Sequence, residues 1–123
     1  MATQTPQLTQ QELEQFTGTE HYYFNPQYEK MQYTDGVKYF AEKAHAYWLL
    51  DIIGTEFFPK QEAGTWDYFI AIKLHVEKQA MTITVTDGNE KTYEVRTIDF
   101  TDFPAGDWQL WLVDGILILP SEY

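Results

Sequence analysis

Hydrophobic positions along this chain follow two different periods, and the change from one to the other marks the predicted elements. From residue 66 onward they alternate: Trp66, Tyr68, Ile70, Ile72, Leu74 and Val76 share one face, and Asp67, Phe69, Ala71, Lys73 and His75 share the other. Ala80–Thr86 repeats the pattern, with Met81, Ile83 and Val85 inward and Thr82, Thr84 and Thr86 outward. Strict alternation of this kind predicts strands with one solvated face. In Thr92–Phe100 the phase slips by one near Thr97, which predicts a bulge, with Tyr93 and Val95 set against Ile98 and Phe100. The last hairpin, turning at Asp114-Gly115, is apolar on both faces: Trp108, Leu110, Leu112, Leu117 and Leu119 on one, Trp111, Val113, Ile116 and Ile118 on the other. The second of these faces needs a cover, either the N-terminal segment with Leu13 and Phe16 or a second molecule.

Ahead of the strands the period is helical. Ala44–Ile53 is apolar almost all round, with only His45 and Asp51 polar, which predicts a central helix buried on most sides, Trp48 included. Gly54 is its expected stop, and the stretch to Gly64, containing Pro59, is expected to be an irregular and mobile loop. Thr9-Gln10-Gln11-Glu12 reads as a capping box that opens a short helix through Leu13 and Phe16, ended by Gly18. His21–Phe24 reads as a short edge strand stopped at Asn25-Pro26. Asp-Gly occurs at Asp35-Gly36, Asp87-Gly88 and Asp114-Gly115, and each predicts a hairpin turn because a type I′ turn needs φ > 0 at both central positions. The first is expected to join Tyr28–Tyr33 to Val37–Ala41. Together these signals predict an α+β fold: an antiparallel meander sheet of about six strands, one buried central helix and a short N-terminal helix. Residues 1–123 form a single domain, with 1–7 expected to be a flexible tail.

Composition changes the picture mainly through charge. Nineteen acids against eight bases give a net charge of −11, and every Lys and Arg falls between Lys30 and Arg96. Phosphate backbones are repelled by such a chain, so no direct nucleic-acid partner is expected. A protein partner with a basic surface would be attracted. The base-free ends supply the residues expected to meet it: Glu12, Glu14 and Glu20, then Asp99, Asp102, Asp107 and Asp114, with Trp111 as an apolar contact. The other reading of the same charge is that it keeps an aromatic-rich chain in solution.

Catalytic signals are thin. The chain has no Cys, and Ser121 is its one Ser, so a nucleophile elbow, disulfides and thiolate metal sites are excluded. No phosphate-binding loop or dinucleotide fingerprint is present. The three His lack metal-ligand spacing, and Asp99, Asp102 and Asp107 lack that of a calcium loop. No cofactor is expected. A ligand-binding protein or enzyme with a pocket between helix and sheet is the alternative, with His45, Tyr47 and Asp51 as its residues. A homodimer joined through the last hairpin is the second alternative. The absence of a signal segment or a long apolar run gives the expectation of a cytoplasmic protein with no membrane contact.

Tyr33-Thr34-Asp35-Gly36-Val37-Lys38-Tyr39-Phe40-Ala41-Glu42, running into Ala46–Asp51, resembles a family of small bacterial proteins that has no assigned function. The likeness extends to Leu8-Thr9, Phe16–Gly18, Phe100–Pro104 and Leu119–Tyr123, nearly the whole chain. His45 stands where the family has a small residue. The resemblance brings no catalytic or binding residues. It implies a setting in phages and mobile elements, where small acidic proteins act by binding host proteins. Inhibition of a nucleic-acid-handling defence protein through its basic surface is the expectation that follows.

Overall fold

The computed structural model describes residues 8–28 and 30–123. Its elements in chain order are α1 (Gln10–Glu14), β1 (Tyr22–Phe24), β2 (Gln32–Thr34), α2 (Asp35–Lys43), α3 (Tyr47–Ile52), α4 (Phe58–Glu62), β3 (Phe69–Glu77), β4 (Ala80–Thr86), β5 (Thr92–Ile98), β6 (Gly106–Val113) and β7 (Ile116–Ile118). The strands form one seven-stranded sheet in the order β1-β2-β7-β6-β3-β4-β5, antiparallel except for the β2–β7 pair. The class is α+β as expected. The sheet has one strand more than expected and is not a simple meander, because β2 pairs with β7 rather than with its successor. No described helix is long and apolar enough to cross a membrane.

The alternating segments fold as their pattern dictates. Ile70, Ile72, Leu74, Met81, Ile83, Val85, Leu110, Leu112 and Leu117 are buried on the face that α2, α3 and α4 cover. Phe40 completes this core against Phe103 and Trp108, with ring centroids 5.5 and 6.3 Å away. β1 is an edge strand, and Asp114-Gly115 turns with φ of +49° and +83°, both as expected. The bulge lies opposite Val85/Thr86, at Tyr93 rather than Thr97. Beyond it β5 turns Glu94, Arg96 and Ile98 to the helix side, so Val95 is exposed instead of buried, and Phe100, past the end of the strand, is exposed as well. Tyr68, placed in the core by the alternation, precedes β3 and is exposed as well.

Asp35-Gly36 is not a hairpin. Thr34 caps α2, its hydroxyl accepting from Val37 N–H, and Gly36 lies inside the first turn. A Cβ at Gly36 would stand 2.6 Å from Leu119 and 2.7 Å from the Glu122 carboxylate. This glycine provides close approach rather than a positive φ.

The helix expected over Ala44–Ile53 breaks at its second residue. Ala46 N–H donates to Ala41 carbonyl and His45 N–H to Glu42 carbonyl, the paired bonds of a Schellman ending, with His45 in the left-handed C′ position at φ +52°. α3 therefore starts at Tyr47, and the turn it makes leaves Tyr47 and Asp51 exposed and Trp48 half-buried. The helical path does not stop at Gly54. It widens into a π-helical turn over Ile53–Phe57 and continues as α4. Pro59 has no N–H for an α-helical bond to the carbonyl four residues back, and a widened turn before it accommodates the loss. Gly54 lets the Tyr28 ring pack against the backbone, where a Cβ would meet it at 2.4 Å.

The expected mobile loop is thus a pinned helix. Its pin is Gln61, a buried amide whose Nε2 donates to the carbonyls of Asp67, Tyr68 and Leu112 at 3.1, 2.8 and 3.0 Å. Its Oε1 accepts from Gly115 N–H at 2.9 Å, so one side chain ties α4 to both the entry of β3 and the β6–β7 turn.

A left-handed residue with a Cβ costs roughly 1–2 kcal/mol that glycine avoids. His45→Gly is expected to raise stability by about 1 kcal/mol, since the His45 side chain is exposed and makes no bond to lose. Urea denaturation measures it. A lower midpoint would contradict the helix ending described here.

Candidate functional site

α2, α3 and α4 cover one side of the sheet; the other side, with α1 over one end of it, is where the unassigned chemistry collects. Register places two rows of side chains across it. Phe24, Gln32, Ile116, Val113 and Phe69 form one row from β1 to β3, and Tyr22, Thr34, Ile118, Trp111, Ala71 and Thr86 form the next. Beyond these the face becomes polar, with Gln109, Lys73 and Thr84, then Asp107, His75 and Thr82.

The aromatic part of this face is organised around Trp111. Its ring meets Phe69 edge-on at 5.1 Å and Tyr123 at 5.4 Å, and its indole N–H donates to Gln109 Oε1 at 2.9 Å. Tyr123 lies there because Glu122 is fixed. One Glu122 carboxylate oxygen accepts from the Thr34 hydroxyl at 2.6 Å and from Leu119 N–H at 3.0 Å; the other accepts from Gly36 N–H at 3.1 Å. A carboxylate at the N-terminus of α2 also meets the positive end of the helix dipole. The cover expected from Leu13 and Phe16 is therefore supplied at Trp111 by Tyr123, while Phe16 packs on Tyr39 of α2.

The polar part holds a groove of about 650 Å³ between α1 and the sheet, lined among others by Gln10, Glu14, Lys73, His75, Gln109 and Ser121. His75 Nδ1 stands 2.6 Å from an Asp107 carboxylate oxygen. That bond raises the imidazole pKa above its ordinary value, the Asp107 charge and Glu77 adding to the effect. Gln10 closes one end of the groove by donating to the Asp107 carbonyl. Ser121 donates its hydroxyl to the Leu13 carbonyl, which engages the one Ser of the chain in holding α1. Among the described residues, no group of three or more His, Asp or Glu side chains is placed to hold a metal ion.

The acidic residues singled out from the sequence fall into separate places. Asp99 and Asp102 lie in the β5–β6 connection and Asp107 opens β6, all at one end of the sheet. Glu14 shares the groove with Asp107. Asp114 is at the opposite end of β6, seven residues and roughly 23 Å along the strand. Glu12 accepts from the Tyr39 hydroxyl at 2.9 Å instead of closing a capping box, although Thr9 does cap α1. Glu20 contributes its backbone N–H to Asp35. His45, Tyr47 and Asp51 stand apart from the groove under α1: His45 is exposed in the α2–α3 link, and Asp51 accepts from the Tyr28 hydroxyl at 2.8 Å. Burial, followed by that bond to Asp51, pushes the Tyr28 phenol well up.

Sequence reasoning passed over Phe24, Phe69, Lys73, Tyr123 and Glu122. The outward phase of the alternation already placed Phe69 and Lys73 on this face, but the long-range roles of Tyr123 and Glu122 left no local signal.

Asp35, at the start of α2, gives this region a pH dependence. Its carboxylate accepts from Glu20 N–H and the Tyr23 hydroxyl, which hold its pKa down at about 2 against an ordinary 3.8. A depressed folded pKa contributes stability above pH ~3.8 that is lost as pH falls toward ~2. Urea midpoints of the wild type are expected to fall more steeply between pH 4 and pH 2 than those of Asp35→Asn. Parallel pH profiles would contradict the assignment.

No curated protein and no solved structure matches the chain. A family model described as a family of unknown function, DUF6876, matches residues 7–123. With nearly its whole length inside that match, the chain belongs to this family of unknown function.

Proposed function

We propose that the chain is a non-catalytic acidic interaction module that engages a basic surface on a protein partner. The observation that carries this reading is where the eight bases go. Lys38, Lys43, Lys60 and Lys91 stand 4.7, 5.6, 4.8 and 5.3 Å from the ring centroids of Tyr23, Tyr39, Trp66 and Tyr93. Arg96 lies over Phe57 and pairs with Glu56 and Glu94, and Lys30 pairs with Glu62. Most of the positive charge is thus engaged by the protein's own rings and carboxylates. Glu14, Asp99, Asp102 and Asp114 are exposed and form no ion pair among the described residues. Such a surface attracts cations and repels phosphate backbones. Inhibition of a nucleic-acid-handling host protein is the form of this role that the resemblance suggests.

A second reading, a small-ligand protein, is favoured by one observation: the groove under α1, where Lys73 and His75 meet Gln109 and Glu14.

Reversal of Asp99, Asp102 and Asp107 to Lys takes the net charge from −11 to about −5. Asp99 and Asp102 are exposed and unpaired among the described residues, and Asp107 gives up only an exposed pair with His75, so the melting curve is expected to move by about 1 kcal/mol or less. In affinity capture from the native host, a partner held at low salt by the wild type is expected to be lost both with the reversal and at high salt, because exposed charges are screened within about 8 Å at physiological ionic strength. A partner retained undiminished under both conditions would contradict the electrostatic reading.

A further inference from the structure

The sheet face opposite α2, α3 and α4 keeps an apolar surface that stays partly open among the described residues. Tyr22 and Phe24 on edge strand β1 are 54% and 55% exposed, and Tyr123 is 74% exposed. Between them lie Ile116, Trp111 and Phe69, each partly open to solvent. The apolar run is continuous across β7, β6 and β3 through Ile116, Val113 and Phe69, and Gln32 of β2 stands in register between it and Phe24 on β1. Contiguous apolar surface of this kind on a charged protein marks an interaction site. Aromatic side chains are enriched where such contacts carry most of the energy.

Charge identifies the occupant. Asp67 precedes β3, Asp87 and Glu90 lie in the β4–β5 connection, and Asp114 is in the β6–β7 turn, so four acids border the Phe24–Phe69 end of the patch. Lys91 at the same end lies over the Tyr93 ring and Lys30 pairs with Glu62, while Lys73 and His75, the basic side chains that the strands place on this face, lie beyond the aromatic rows, opposite Gln109 and Asp107. A second copy would bring an identical acid border and a charge of −11 against this one. A partner with apolar side chains flanked by Lys and Arg satisfies both the patch and its border. Helices already cover the other face of the sheet, and an amphipathic helix is the element that buries an apolar stripe on a sheet while leaving its flanks polar.

We infer that this open face is a docking surface for an amphipathic basic helix of a partner protein, seated on Phe24, Phe69, Trp111, Ile116 and Tyr123. The inference rests on the acidic-module reading and adds the surface and the shape of the partner. The test uses a Leu/Lys peptide of about 18 residues, about five helical turns, and a scrambled peptide of the same composition. Calorimetric titration compares the wild type, the face variant Phe24→Gln with Tyr123→Gln, and the triple reversal of Asp99, Asp102 and Asp107 to Lys. The expected result is that the wild type binds the amphipathic peptide at least about tenfold more tightly than the scrambled one, and that the face variant loses that preference while keeping a cooperative melt. Binding that is weakened by salt and by the triple reversal, but is indifferent to the face variant and to peptide order, would overturn the docking surface and leave the acidic module standing. No binding by the wild type at low salt would overturn both. A wild type that is dimeric in sedimentation, with the face variant monomeric, would assign the face to a second copy and overturn the inference.

Discussion

The architecture depends on a carboxylate that is distant in sequence from the helix it caps. Glu122 accepts the N–H of Gly36 and the hydroxyl of Thr34, joining the last turn of the described chain to the start of α2. In a local capping box the third helical residue supplies a carboxylate to the N-cap. Here that position is Val37, which is buried in the core, and the carboxylate comes from 86 residues away. This arrangement needs Gly36, because any Cβ would occupy the space of the Glu122 carboxylate and Leu119. It also fixes the strand order. With β2 leading into α2, and β7 into the turn that carries Glu122, the two strands run parallel and adjacent.

Two consequences reach the open face. Glu122 sets the chain so that Tyr123 crosses Trp111 and Phe69, the only cover those rings have from the 120–123 stretch. Asp35, one residue after the Thr34 cap, gathers Glu20 N–H, the Tyr23 hydroxyl and His21, and so holds the segment leading into β1. The aromatic surface is therefore presented by strands anchored at one helix terminus. On the far side of the sheet β5 is held differently. Its Arg96 and Glu94 point inward to Glu56, Lys60 and Phe57, charges that suit an edge strand because they discourage further strand addition.

What the sequence made legible was whatever depends on neighbours along the chain. Alternation in β3, β4 and β6 identified Ile70, Ile83 and Leu110 as core, and the period also put Trp111 on the opposite face. Asp114-Gly115 was readable because a tight turn is local chemistry. The same dipeptide misled at Asp35-Gly36, where Thr34 capping and a turn share one residue vocabulary and the deciding atom belongs to Glu122. His45 misled in another way: nothing in an apolar run shows that a residue will take a left-handed φ and end the helix. The stretch from Gly54 to Gly64 looked like a loop because its glycines and Pro59 break helices. It is helical because Gln61 finds four backbone partners in the segment entering β3, in β6 and in the β6–β7 turn. Of the candidate site, the acid excess was readable from composition, but its division between two ends of the sheet was not, because that depends on where β6 begins and ends.

The central claim is that Glu122 both caps α2 and holds the aromatic face in place. Ring-to-ring nuclear Overhauser contacts in Glu122→Ala test it directly. The account predicts that the Tyr123–Trp111 contact, 5.4 Å between ring centroids in the wild type, disappears while the Phe40–Phe103 contact in the core persists. A Tyr123–Trp111 contact of undiminished strength in that variant would contradict it.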